Sequence, residues 1–292
     1  MKKIIVNNLK ENTNSKITTY LSKTFAKLSI GNIRKALKQK DIKVNGIRTS
    51  KDVLIKNHDV LEIYISDPVL YGLPEKIDII YEDEDILIVD KYAGILSENL
   101  DENSSEPSVE SILRMQEENE NLRLCHRLDR NTEGLLILSK TDIGQKEMLD
   151  GFKNSYVEKI YEAYVYGIPS KKEAILEDYL FKDSKKSLVY ISHTKQKGYS
   201  KIITSYKVKK EFQTYSLLHV KIKTGKTHQI RAHLASIGYP IIGDEKYGEK
   251  KINNMFKDKF KHQALRAFSY TFTFPKNYKL ARLNDIEIQK KS

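Results

Sequence analysis

The run His126-Arg127-Leu128-Asp129-Arg130-Asn131-Thr132-Glu133-Gly134 sets one carboxylate between two arginines at the head of a polar turn. Positive charge on both sides favours the ionised form of Asp129. An ionised carboxylate on a loop is equipped to attack an electron-poor carbon or to remove a proton. After the turn, Leu135 to Leu138, opened by Gly134 and closed by Ser139-Lys140, reads as a short buried strand. A rigid strand presenting a polar loop is a common placement for a catalytic group. Taken alone, the same residues fit an ordinary turn ion pair equally well.

Two further stretches carry candidate chemistry. Lys159 to Tyr166 alternates as a strand, with Lys159, Tyr161, Ala163 and Val165 on one face. Among 18 tyrosines, any one is more often a packing residue than a working one. Leu217 to Lys223 reads as a strand with Leu218, Val220 and Ile222 inward, Thr224-Gly225-Lys226 as a turn, and Thr227 as the cap of a helix from His228 to Ile237 that stops at Gly238. On that helix Ile230, Leu234 and Ile237 make an apolar stripe, while His228 and Arg231 share another face. His228 and His233 point in different directions and have no third ligand, so no metal site is expected. The single cysteine, Cys125, follows Leu124 and reads as a small core residue; it excludes an intramolecular disulfide and fits a reducing compartment.

The elements that must position these groups fill a 292-residue chain, long enough for two domains. It carries 51 Lys+Arg against 39 Asp+Glu, a net +12 that fits a polyanionic partner, nucleic acid before membrane surface. The charge is uneven: residues 1–66 hold 14 basic and 5 acidic side chains, a net +9, and 67–292 hold 37 and 34, a net +3. No apolar stretch reaches the roughly 18 residues of a membrane span, and Met1-Lys2-Lys3 lacks the apolar run of a signal peptide, so a cytoplasmic protein is expected.

In the basic segment Ile17, Leu21, Phe25 and Leu28 recur at helical spacing behind a candidate cap, Ser15, and a second helix reads from Asn32 to Gln39 with Arg34, Lys35 and Lys38 outward. Ile42-Lys43-Val44, the turn Asn45-Gly46 and Val60 to Ile65 read as strands and a hairpin. Residues 67–76, with Pro68, Gly72 and Pro74, read as a linker. Beyond it, Ile77 to Lys91 reads as strand, acidic turn and strand, residues 98–107 as a polar loop, and Ser108 as a cap for Val109, Ile112 and Leu113. Asp142 with Gln145 reads as a capping-box start of a helix to Phe152. Residues 182–201 read as an exposed hairpin, Ile202 to Val208 as a strand, 249–262 as a basic insertion, and Phe268 to Phe274 as a further strand.

The stretch from His126 to Leu138 resembles the motif His-Arg-Leu-Asp-x-x-Thr-Ser-Gly-Leu-Leu-Leu of the RluA-type pseudouridine synthases, with Asp129 at the catalytic aspartate and Glu133 where the family has Ser. Three more motifs follow in family order. Tyr81-Glu82-Asp83, Ile88, Lys91 and Gly94 resemble the opening motif, with Tyr92 replacing its Pro. Lys159-Ile160-Tyr161 resembles Lys-x-Tyr, and Thr224 to Leu234 resembles Thr-Gly-Arg-Thr-His-Gln-Ile-Arg-x-His, with Lys226 for the first Arg. Gly243-Asp244-Glu245-Lys246-Tyr247-Gly248 continues the pattern, and Arg266 takes the place of a family His. Residues 15–66 resemble an S4 RNA-binding domain.

The resemblance implies an α+β protein: an S4-like domain over residues 1–68, then a catalytic domain over 75–292 on a mixed, largely antiparallel sheet. It implies an isomerase converting uridine to pseudouridine in structured RNA, large-subunit ribosomal RNA first and tRNA second, acting as a monomer. Asp129, Tyr161 and Arg231 would be catalytic; Arg127, Lys91, Lys226 and His228 would contact substrate, and Arg34, Lys35, Lys38, Lys43 and Arg48 would bind RNA. Breaking N1–C1′, turning the uracil and joining C5 to C1′ involves no redox change and no group donor, so neither cofactor nor metal is expected. The alternative is a non-catalytic RNA-binding factor that keeps the fold.

Overall fold

The computed structural model describes residues 4–6, 14–65, 69–70, 72, 76–100 and 106–290. Pro68 and Pro74 of the expected linker, and residues 101–105 of the polar loop, lie outside them. The chain divides into two compact units, Met1–Glu75 and Lys76–Ser292.

In the first unit, β1 (Ile4–Val6), β2 (Ile42–Val44), β3 (Ile47–Arg48) and β4 (Leu61–Ile63) form a sheet in the order β1-β4-β2-β3. Helices α1 (Ile17–Thr24) and α2 (Ile30–Lys38) close its core of Ile17, Leu21, Phe25, Leu28, Ile33, Leu37, Ile42 and Ile63. Ser15 is not the cap of α1. It pairs with Ile55 in a two-residue ladder, and the Asp52 carboxylate takes the Thr18 N–H at 2.9 Å. Helix α2 begins two residues before the expected start, because Ser29 caps it by accepting the Asn32 N–H. Asn45 and Gly46 adopt φ 49° and 81°, the paired left-handed turn that an Asn-Gly sequence favours.

The second unit is built on an eleven-stranded sheet with helices against it: the ten strands labelled below and the two-residue strand Arg123–Leu124, which pairs with Glu133–Ser139. In chain order it contains β5 (Asp78–Glu82), β6 (Ile86–Lys91), α3 (Val109–Gln116), β7 (Glu133–Ser139), α4 (Asp142–Lys153), β8 (Val157–Tyr166) and β9 (Glu173–Asp183). There follow β10 (Leu188–Ser192), β11 (Ser200–Glu211), β12 (Tyr215–Ile222), α5 (Gln229–Ser236), α6 (Lys250–Met255), β13 (Leu265–Phe272) and β14 (Glu287–Gln289). The main path runs β10-β9-β11-β12-β8-β13-β7-β6-β5, antiparallel except where β7 meets β13. This is the mixed, largely antiparallel α+β architecture expected.

Strand β7 is buried from Gly134 to Ser139; β6 runs along one edge, and β13 at Glu133–Gly134 and Arg123–Leu124 at Leu138–Ser139 share the other. Gly134 is required there: its φ is +103°, and a Cβ would lie 2.2 Å from the Ala267 carbonyl oxygen. Ser108 caps α3 in a reciprocal pair with Ser111. Helix α4 is capped by Thr141, whose hydroxyl accepts the Gly144 N–H; Asp142 is its first helical residue. Gln145 is used elsewhere, accepting from Ser139 and donating to the Leu124 carbonyl. Strand β9 was not expected. Its inward face carries Asp178 beside Leu180, and its outward face exposes Ile175, so the alternation is inverted in part.

Candidate active site

Asp129 is held from below. Ser97 Oγ donates to the Leu128 carbonyl and accepts the Leu128 N–H, both at 3.0 Å. The Arg130 carbonyl accepts the Gly94 N–H at 2.9 Å, and Gln263 donates to the Thr132 hydroxyl at 2.6 Å. Lys91 is fully buried, with Nζ donating to the carbonyls of Arg130 and Thr132 at 2.8 Å and of Tyr92 at 3.1 Å. Burial pulls its pKa down to about 7, against the favourable charge of Asp129. The expected substrate contact by Lys91 is therefore incorrect: its three donors are spent on the loop.

The two arginines beside Asp129 in sequence also turn away from it. Arg127 pairs with Glu98 at 2.8 Å, and Arg130 pairs with Glu106. The cation that reaches the carboxylate is Arg231, 102 residues on, whose Nη1 donates to Asp129 Oδ2 at 2.8 Å. Oδ1 has no hydrogen-bond partner among the described residues, and Asp129 lines the cleft.

Arg231 does not hold Asp129 with its planar fork. Nε and Nη2 grip Asp244 at 2.7 and 2.9 Å, leaving Nη1 for Asp129. Asp244 is completely buried and also accepts the N–H groups of Lys246 and Tyr247. Burial alone would raise its pKa, but the bonds and charge of Arg231 outweigh that and hold it below the ordinary carboxylate value.

Helix α5 is buried all round from Gln229 to Leu234, so its face is not the single stripe expected. Thr227 does not cap it. His228 occupies the N-cap position in the left-handed region at φ 52°, and the Gln229 side chain closes the turn by accepting from the Lys226 N–H and Thr224 hydroxyl. That turn directs His228 Nε2 to 3.9 Å from Asp129 Oδ2. Tyr247 Oη accepts the Val189 N–H and shares a 2.8 Å hydrogen bond with His228 Nδ1. With the Tyr247 hydroxyl as donor in that bond, the imidazole proton lies on Nε2. Burial pulls the His228 pKa down to about 4, with Asp129 opposing, so the ring is neutral near pH 7.

Tyr161 lies on β8 beside a register shift against β13, between Ile160 and Tyr161, that re-aims the side chain. Its ring is buried in the cleft wall. Burial, then the charge of Asp129, push its pKa well above the ordinary phenol value. Asp129, Tyr161, Arg231, Arg127, Lys226 and His228 all line one cleft of about 230 Å³.

The chain matches the RNA pseudouridylate synthase family model over residues 85–236, slightly more than half its length. A Rickettsia bellii protein named ribosomal large subunit pseudouridine synthase C is 32% identical over 266 residues, covering 85% of this chain and 87% of that one. A Buchnera aphidicola protein named ribosomal large subunit pseudouridine synthase D is 30% identical over 287 residues, covering 91% and 90%. The chain belongs to the RNA pseudouridylate synthase family. The solved human RNA pseudouridylate synthase domain containing 1 shares the fold, with a TM-score of 0.60 at 22% identity over 75% of this chain and 84% of that one.

For this pseudouridine synthase, an RNA isomerase, two of the departures from the family motifs, Arg266 and Tyr92, have local partners. Glu133 and Arg266 are register neighbours across β7 and β13, and Arg266 pairs with Glu162. Tyr92, in the proline position, donates to Asp78 at 2.6 Å and so ties down its loop. Cys125 is buried and its thiol is pushed up to about 12 by burial, which fits an inert core residue. Among the described residues no cluster of His, Cys, Asp and Glu is arranged to hold a metal, and no helix is long and apolar enough to cross a membrane. Sequence reasoning quoted Asp244 and Tyr247 within a motif but gave them no role; only the folded contacts supply one.

Tyr161→Phe and Tyr161→Ala are expected to separate ring from hydroxyl. Phe keeps the surface a base can lie against, so RNA affinity survives. Ala removes it, and base–aromatic stacking is worth roughly 1–3 kcal/mol. Equal loss of affinity in both variants, measured by filter binding, would exclude a stacking role.

Proposed function

We propose that the protein isomerises uridines of large-subunit ribosomal RNA in the cytoplasm, as a monomer, with Asp129 as the group that acts at the sugar. The carrying observation is the free Oδ1 of Asp129 in a cleft whose other carboxylate oxygen is fixed by Arg231. The names of the Rickettsia and Buchnera relatives support ribosomal RNA as the substrate.

In this reading Oδ1 attacks C1′, or removes the C2′ proton to give a glycal, as the N1–C1′ bond breaks. The detached uracil turns against the Tyr161 ring, C5 bonds to C1′ as the Oδ1–C1′ bond breaks (or, from the glycal, as the proton returns from Asp129 to C2′), and the C5 proton passes to solvent. With its pKa raised, Tyr161 contributes its ring more than a phenolate base. The neutral His228 offers an Nε2–H to a substrate oxygen. The test is tritium release from C5-labelled uridine in a large-subunit ribosomal RNA transcript, with product mass alongside. Release at unchanged nucleoside mass supports the reading. Free uracil would make the protein a glycosidase, and binding without release would make it an RNA-binding factor.

The N-terminal unit, with its S4-like order of elements, is proposed to supply affinity. Arg34, Lys35 and Lys38 on α2 have no carboxylate partner among the described residues. Lys43 and Arg48 are partly occupied: Lys43 pairs with Glu62 at 3.4 Å, Arg48 lies 4.0 Å from Asp41, and both cover the Tyr64 ring. Replacing Arg34, Lys35 and Lys38 with Gln should weaken RNA binding and flatten its salt dependence by roughly 0.7–0.9 in log–log slope per lost phosphate contact. Saturating RNA should restore turnover. An unchanged slope would remove α2 from the RNA interface.

A further inference from the structure

A second cavity of about 660 Å³ opens beside the cleft and shares His126, Lys159, Ile222 and Gly225 with it. Its apolar side is unusually open: Ile175 is 72% exposed and Leu149 47%, next to the half-buried Phe152 ring. Its charged side is positive. Lys153, Lys159, Lys221 and Lys223 face it against Glu158 and Glu177. Both acids are already engaged, Glu158 by Lys221 at 2.7 Å and Glu177 by Lys201 at 2.6 Å.

Lys159 stands at the junction of the two cavities. Its Nζ lies 4.4 Å from the Phe152 ring centroid, a cation–π contact that holds the ammonium in place. It comes close to the turn at Gly225, where a Cβ would be 3.8 Å away. Among the described residues it has no hydrogen-bond or carboxylate partner. Burial pulls its pKa down to about 8, the response of an ammonium that has lost water without gaining an anion. An anion placed at this junction would supply the missing partner. A half-apolar groove lined with lysines matches one kind of occupant, a nucleotide, whose base needs a flat dry surface and whose phosphate needs a cation.

We propose that this groove receives the nucleotide next to the target, and that Lys159 binds the phosphodiester joining the two. The proposal rests on reading the first cleft as the RNA isomerase site. It gives Lys159 a binding role and leaves the bond-breaking steps to the cleft.

The experiment compares full-length wild type with Lys159→Met and Lys159→Arg on a large-subunit ribosomal RNA transcript. Lys159→Met, which keeps an unbranched apolar stem against Phe152, should raise Kd and KM about tenfold. It should also reduce the log Kd against log salt slope by about 0.7–0.9, one phosphate contact. The kcat at saturating RNA should be unchanged, and Lys159→Arg should restore both affinity and slope. The double variant Lys153→Gln/Lys223→Gln, at exposed positions that do not disturb packing, should lower the slope in the same direction. An unchanged slope in Lys159→Met and in the double variant overturns the proposal. So does a fall in kcat with KM and slope intact. Because the slope comes from binding alone, it is read separately from turnover. A wild type that binds the transcript but leaves its uridines unchanged overturns the isomerase reading instead.

Discussion

Replacing Asp129 with asparagine is expected to stop isomerisation while leaving the fold and RNA affinity in place. The side chain keeps its size, and its carbonyl oxygen can still accept the Arg231 Nη1 bond that Oδ2 accepts at 2.8 Å. What disappears is the negative charge of the carboxylate, proposed above to act as nucleophile or as base. Residual tritium release near the wild-type rate would remove Asp129 from the chemistry. Arg231→Lys completes the comparison. One guanidinium grips Asp244 with two nitrogens and Asp129 with the third, and a single ammonium cannot span both carboxylates. The carboxylate should lose its fixed aim, and turnover should fall about tenfold for each 1.4 kcal/mol of lost transition-state stabilisation.

The second large effect is expected at Asp244, which does not line the cleft. Asp244→Ala leaves the Arg231 fork buried with Asp129 as its remaining carboxylate. Breaking a buried pair by removing one partner costs about 3–5 kcal/mol, which lowers Tm by on the order of 10 °C. Turnover should fall as well, because Arg231 is then free to shift. The pH dependence has a definite sign. The folded pKa of Asp244 is depressed, so the unfolded chain takes up the proton first as pH falls. The stabilisation is present above the ordinary aspartate value of about 3.9 and is lost as pH falls through the folded value. Acid titration followed by circular dichroism should show wild type losing this stability below about pH 4, and Asp244→Ala lacking that component. A variant as stable as wild type at pH 7 would show that Arg231 is held by other means.

Contiguous features of the site were legible in sequence: the run from Asp129 into β7, and the turn that leads into α5. Their apolar runs and turn residues lie side by side in the chain. Features that depend on a distant partner were not. Nothing local distinguishes Lys91 from a surface lysine, because its burial comes from the loop folded over it. Arg127 and Arg130 flank Asp129 in sequence, yet Glu98 and Glu106 draw them away. Two helix starts differ for one reason: Asp52 and Thr141 satisfy the end groups assigned to Ser15 and Asp142, while at α5 the Gln229 side chain closes the turn before the helix and no side chain caps it. Strand β9 escaped notice because its inward Asp178 answers a buried histidine, His233, at 3.0 Å and not an apolar layer.

The loop under Asp129 has its carbonyls taken up by Lys91, Gly94 and Ser97. A loop so stapled has little room to adapt when substrate arrives. The rearrangement needed to bring a ribose to a fixed carboxylate must then be made by the RNA, at a cost of a few kcal/mol for unstacking and unpairing one nucleotide. The enzyme becomes a gauge of nucleic-acid deformability. Among uridines in similar sequence contexts, those in loops, bulges and mismatched pairs are expected to be modified first, and those in the middle of regular helices last.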